Sequence, residues 1–317
     1  MNSIDLDVLR TALAWMGTGH RVTLGTVVRT WGSSPRPPGS VMALRDDGRV
    51  VGSVSGGCIE DDLIYRLRQD DPAFTRPTLT VYGAHADEAQ RFGLPCGGTV
   101  EVVLEPLTAA SRLDELLAAI ESRRGVERRL DLAGGEVTLA DSGDDDCVEF
   151  DGRVLRSVHG PRHRLLVIGG GQLSRYVASM AVMLDYDVIV CDPRPEYHAG
   201  WQPIAGVTLS TVMPDDLVTS LELGRHDAVV ALTHDPKLDD LALMEALKTP
   251  ASYVGALGSR KSTAARRERL LGFDVTPEQV ARLRGPVGLG IGAKTPPEIA
   301  VSIIAELTAL RRGAGAG

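Results

Sequence analysis

Gly169, Gly170 and Gly171 end a short apolar run at 165–168 and open an amphipathic stretch, and Asp192 stands 21 residues beyond Gly171. Glycines at such a junction let the chain turn tightly, so that free amide N–H groups and the positive end of a helix dipole meet whatever lies above. The natural ligand is a phosphate or pyrophosphate. A carboxylate at the offset of Asp192 suits a ribose hydroxyl pair, and Arg194, two residues on, suits a 2′-phosphate, so NAD and NADP both stay open. Ser174 stands where a third glycine would complete the pattern G-x-G-x-x-G. The plainer alternative is a glycine turn that only joins strand to helix.

Soft chemistry would come from cysteine. Cys58, Cys96, Cys147 and Cys191 lie far apart with no C-x-x-C pair, which indicates neither a zinc ribbon nor a disulfide framework. Cys58 follows Gly56-Gly57 at the start of a helical stretch, where the dipole favours thiolate, while Glu60, Asp61 and Asp62 oppose it. Cys96 sits on a second glycine loop, 93–98. A small buried cysteine is the competing reading for Cys58, although neither loop position resembles a packed core site.

Further anion-binding candidates lie on loops. Arg36 is held among Pro35, Pro37 and Pro38, a rigid segment suited either to gripping an anion or to a structural turn. Gly258 leads into Ser259, Arg260 and Lys261 at a helix start. Lys294 ends a glycine-rich loop before Thr295-Pro296-Pro297-Glu298, which reads as a capping box. His234 ends a predicted strand and reads as an acid, base or ligand group, or as a helix-cap partner. The acidic loop 141–146 matches no EF-hand spacing and reads as solvated.

The elements that must position these groups follow from periodicity. An amphipathic helix opens the chain, then strands at 22–30, 41–44, 50–54, 78–82 and 99–104, a helix at 111–122, and hairpin strands at 127–139 and 147–158. His159-Gly160-Pro161 breaks the pattern, dividing a mixed α/β domain at 1–160 from 161–317. The second part alternates strand and helix, as a Rossmann-like parallel sheet does. The fold class is therefore α/β. With 34 basic against 42 acidic side chains the net charge is -8, and no basic block could track a nucleic-acid backbone. Asp5, Asp7 and Arg10 among the apolar residues of the first helix fit neither a signal peptide nor a membrane span, which predicts a cytoplasmic protein.

Taken together, these segments resemble the XdhC/CoxI family, accessory factors of xanthine dehydrogenase and related molybdenum hydroxylases. The resemblance rests on 33–39, 52–60 and 93–98 in the first half. In the second it rests on the glycine turn, Asp192-Pro193-Arg194, Thr233-His234-Asp235, 253–260 and 288–298. It implies a carrier of the molybdenum cofactor (molybdopterin) that protects it, helps its sulfuration and inserts it into an apo-hydroxylase. A cysteine desulfurase and a homodimer are the further expected partners. Among the cysteines, Cys58 is the one expected to meet the molybdenum or its exchangeable sulfur. An NAD(P)-dependent oxidoreductase using Asp192 for ribose and His234 for a proton is the competing reading, and a regulatory nucleotide-binding protein is a third.

Overall fold

The computed structural model describes residues 3–32, 36–83, 98–142, 147–233 and 235–313. The chain divides into two compact units, Met1–Pro161 and Arg162–Gly317.

In the first unit, α1 (Ser3–Gly17) precedes β1 (Val22–Trp31), the hairpin β2 (Val41–Arg45) and β3 (Val50–Gly52), then α2 (Cys58–Arg68), β4 (Thr78–Tyr82) and β5 (Thr99–Pro106). The strands pair antiparallel in the order β3-β2-β1-β5-β4. Side chains alternate across the sheet. Met42 and Leu44 face α2, where Ile59 and Leu63, one turn apart, fill the same core. Val41 and Ala43 face the other way, against α1 and α3 (Leu113–Glu121). Burying one such leucine contributes about 1.5–3 kcal/mol. That packing fixes α2, and with it the loop that carries Cys58.

The expected pair of long hairpin strands at 127–139 and 147–158 is corrected to four short ones. These are β6 (Val126–Asp131), β7 (Val137–Asp141), β8 (Cys147–Phe150) and β9 (Val154–His159), in the order β7-β6-β9-β8. Gly135 and Gly152, at φ of 71° and 100°, turn the chain back inside each span.

The second unit is a parallel sheet with helices between the strands. Its elements are β10 (Arg164–Ile168), α4 (Gln172–Met183), β11 (Asp187–Cys191), α5 (Pro195–Ala199), β12 (Val207–Ser210), α6 (Pro214–Ser220), β13 (Asp227–Ala231), α7 (Pro236–Lys248), β14 (Tyr253–Ala256), α8 (Arg260–Leu271), α9 (Pro277–Ala281), β15 (Leu283–Arg284) and α10 (Pro296–Arg311). The spatial order β12-β11-β10-β13-β14-β15 reverses direction between β10 and β13. In a sheet of this kind the ligand crevice lies outside the carboxyl ends of the strands at that reversal. Leu165 and Val167 pack under α4 and α10, and Leu166 and Ile168 under α7. This two-sided burial is why β10 reads as an unbroken apolar run. Among the described residues no helix is long and apolar enough to cross a membrane.

Candidate functional site

The candidate residues divide between the two units. Gly169, Gly171, Asp192, Arg194, Ser259 and Arg260 follow the carboxyl ends of β10, β11 and β14, and Lys294 stands two residues before α10. Arg36, Gly56, Gly57 and Cys58 belong to the first unit. Cys96 and His234 lie outside the described residues.

Each glycine of the turn has its own reason. At Gly169, φ is +109°, and an added Cβ would stand 2.9 Å from Thr233 Cγ2, because the turn presses on the end of β13. At Gly170 a Cβ would lie 3.3 Å from Cβ of Tyr197. Gly171 is different, since its φ is -77° and a Cβ there would meet nothing within 4 Å. Among the described residues nothing demands glycine at 171, whereas a ligand approaching the backbone at the start of α4 would.

Asp192, the residue expected to accept hydrogen bonds from a ribose, is already paired within the protein. The side chain is fully buried. Oδ1 accepts from the backbone N–H of Arg194 at 3.1 Å and from its Nε at 2.9 Å, while Oδ2 accepts from Gly170 N–H at 2.7 Å and Arg194 Nη2 at 2.8 Å. Burial pushes this carboxyl up, but Arg194 and the backbone N–H groups outweigh burial and hold it below the usual range. Arg194 is fixed on its other side by the ring of Tyr197 on α5, 3.9 Å from the guanidinium carbon. Its own pKa is raised, first by the hydrogen bonds to Asp192, and Asp235 at the start of α7 adds to the effect.

Below the crevice, Asp239 on α7 is buried, and its Oδ1 accepts from Thr233 Oγ1 at 2.8 Å. Ser259 is exposed and caps α8 by accepting from Ser262 N–H at 3.1 Å. Arg260 and Lys294 are exposed as well. Glu298 accepts from the N–H groups of both Lys294 and Thr295, at 2.8 and 2.9 Å, which fixes the backbone at the start of α10.

In the first unit, Cys58 is the first residue of α2 and is exposed. Gly56 and Gly57 adopt φ of 93° and 147° with open space around them, so they turn the chain without covering the thiol. By sequence Glu60 is a charge opposing a thiolate, but its main work is structural. Its carboxylate accepts from Ser53 Oγ and Val54 N–H, both at 2.7 Å, from Ser55 N–H at 3.0 Å and Gly57 N–H at 2.9 Å, and from the Ser55 hydroxyl. An acidic residue three positions after the helix cap is the signal that identifies it. Burial pushes Glu60 up, yet the hydroxyls of Ser55 and Ser53 and the backbone N–H groups bring it down to about 2. Arg36 is exposed. No group of three or more His, Cys, Asp or Glu suited to a metal ion occurs among the described residues.

Residues 15–81 match the family described as "XdhC and CoxI family", and residues 165–307 match "XdhC Rossmann domain". A Bacillus subtilis (strain 168) protein described as a probable xanthine dehydrogenase subunit is 28% identical, covering 92% of this chain and 94% of its own. The "Molybdenum cofactor insertion chaperone PaoD" of Escherichia coli (strain K12) is 26% identical, covering 96% and 88%. A crystal structure from Bacillus halodurans, described as a xanthine dehydrogenase, superposes with a TM-score of 0.75 at 26% identity, covering 98% of this chain and 96% of that one. Matches in both units, and relatives spanning nearly the full length, make this chain a member of the XdhC/CoxI family with a C-terminal Rossmann domain.

Proposed function

We propose that this protein carries the molybdenum cofactor as cargo and inserts it into the apo-subunit of a molybdenum hydroxylase of the xanthine dehydrogenase type. The observation that carries the reading is the open backbone at Gly171, which leaves the start of α4 accessible to an anionic group in a family with a relative named as an insertion chaperone. The cargo is a pterin bearing a phosphate, and the residues fit it. In the second unit, amide N–H groups at the turn and the Arg194 guanidinium suit an anionic end; in the first unit, taken by itself, the exposed Cys58 thiol suits a soft metal or its sulfur. Finer parts of the proposal are that the protein holds the cofactor during sulfuration by a cysteine desulfurase, and that it acts as a homodimer. An NAD(P)-dependent oxidoreductase fits less well, because the carboxylate that would hold ribose is already filled.

The test is purification of the full chain from cells that make the cofactor, with molybdopterin fluorescence and nicotinamide absorbance read on the same sample. Molybdopterin without nicotinamide is expected, and the reverse result overturns the reading. Cys58→Ser is expected to lower cofactor retention and hydroxylase activation while leaving the melting temperature unchanged. Unchanged retention and activation would remove Cys58 from the site. Light scattering that returns a 33.8 kDa monomer with full cofactor binding would remove the homodimer.

A further inference from the structure

We infer that the crevice of the second unit selects a ligand ending in a phosphate monoester over one that continues through a pyrophosphate into a nucleoside, and that Arg194 is the residue that enforces the choice. This rests on the proposed cofactor-binding role and concerns which form of the cofactor is taken.

The argument is one of hydrogen-bond capacity. An ionised carboxylate offers about four lone-pair sites. Asp192 receives four donors, two on each oxygen, and is fully buried. A ribose at the end of β11 would need at least one of those sites, and seating it there would strip a bond from Gly170 or Arg194. Stripping Gly170 would free the turn, and stripping Arg194 would leave a partly desolvated guanidinium unpaired beside the ligand. Both losses count against a nucleoside and against NAD alike.

Arg194 itself is spent only on one side. Nε and one hydrogen of Nη2 go to Asp192, and among the described residues no hydrogen bond takes Nη1 or the second hydrogen of Nη2. The side chain is 24% exposed, so these donors can reach solvent or a ligand. Asp192 and the Tyr197 ring hold the guanidinium plane from two directions. A fixed plane of donors beside a glycine turn matches a doubly charged phosphate monoester better than a singly charged diester link. Asp192 is then a positioning residue, and Arg194 contacts the ligand.

The experiment is calorimetry on the full-length protein with four probes: the molybdenum cofactor in its mononucleotide form, its cytidine dinucleotide form, NAD+ and NADP+. The mononucleotide form is expected to bind at least about tenfold tighter than the dinucleotide form, and NAD+ not measurably. Arg194→Gln should erase that preference, and Arg194→Lys should not restore it, because an ammonium cannot keep the fork on Asp192 while facing the ligand. Melting temperatures of both variants report whether the fold survives. Equal or tighter binding of the dinucleotide form, or an unchanged preference in a folded Arg194→Gln variant, overturns the inference and leaves the cofactor-carrier reading standing. If neither cofactor form binds, the carrier reading falls, and NADP+ against NAD+ decides the role of Arg194. A preference for NADP+ that Arg194→Gln removes supports Arg194 as a contact for a phosphate monoester but overturns the rejection of nucleosides, and equal or absent binding of the two overturns both.

Discussion

Arg266 on α8 donates from Nη2 to Asp239 Oδ2 on α7 at 2.9 Å, with the two side chains 10% and 1% exposed. The same guanidinium donates to the carbonyl of Leu257 after β14 at 3.3 Å, and the same carboxylate holds Thr233 after β13. One buried ion pair therefore ties together two of the loops that face the crevice. Burial pushes the Asp239 carboxyl up even though Thr233 and Arg266 pull the other way, which marks how far this group is from solvent.

Arg266→Ala should consequently be costly. It strands a buried carboxylate, and losses of about 3–5 kcal/mol are typical when one partner of such a pair is removed. Urea unfolding followed by circular dichroism is the measurement, and a loss below about 1 kcal/mol would show that water or a rearranged Arg269 replaces the missing partner. Arg269 already donates to the neighbouring Asp240 at 2.8 Å, so it is the side chain to watch.

What could be read from the sequence divides along lines of locality. The glycine turn, the helix behind it and the position of Asp192 were legible because strand, turn and helix each have a short-range signature. The occupancy of Asp192 was not, since spacing cannot say whether Arg194 will fold back onto it or face a ligand. Glu60 shows the same limit. Its charge is evident in the sequence, but only the folded chain shows that it turns inward to close the loop before α2. The two-residue β15 and five-residue α5 and α9 are too short to show any period at all. Gly134-Gly135 and Asp151-Gly152 are turn signals of the local kind, and each divides one long span into two strands.

Glu60 gives the chain an acid sensitivity with a definite sign. Its folded value is about 2 against 4.5 for the free side chain, so its contribution is complete above roughly pH 4.5 and is lost as pH falls toward 2. Glu60→Gln places an amide NH2 among the donors of Ser55 and Gly57 and should cost about 1–3 kcal/mol at neutral pH. The gap in urea midpoint between wild type and variant should narrow steadily below pH 4.5. A gap that stays constant to pH 2 would mean that Glu60 does not titrate in this range. Cys58 should also react faster with a thiol reagent in the variant, because the loop before it is no longer pinned.

In the first unit, Arg128 Nη2 meets Glu105 Oε1 at 2.5 Å with both side chains 5% exposed, and Arg128 also donates to the Ser111 carbonyl at 3.1 Å. This pair links β5 of the first sheet to β6 of the second. Glu105→Ala removes the carboxylate and leaves the guanidinium buried, which should cost about 3–5 kcal/mol. Replacing the pair with Glu105→Leu and Arg128→Met together should recover much of that loss, since well-packed apolar pairs often match buried ion pairs. Denaturant midpoints of the single and double variants check this, and a double variant no better than the single one would show that the Ser111 bond is the larger part.

Gly169 and Gly171, two residues apart, should respond in opposite ways to an added side chain. Gly169→Ala forces a Cβ onto a left-handed backbone and to within 2.9 Å of Thr233, so stability should fall by about 1–3 kcal/mol. Gly171→Val has an extended backbone that any residue adopts and open space for its side chain, so its cost should stay within about 1 kcal/mol, the value of a changed helix cap. Its isopropyl group, however, fills the approach to the first amides of α4. Binding of the molybdenum cofactor should drop sharply in Gly171→Val while the melting curve barely moves. Paired calorimetry and thermal melts separate the two effects, and a Gly171→Val variant that binds the cofactor as wild type does would make the turn a structural joint alone.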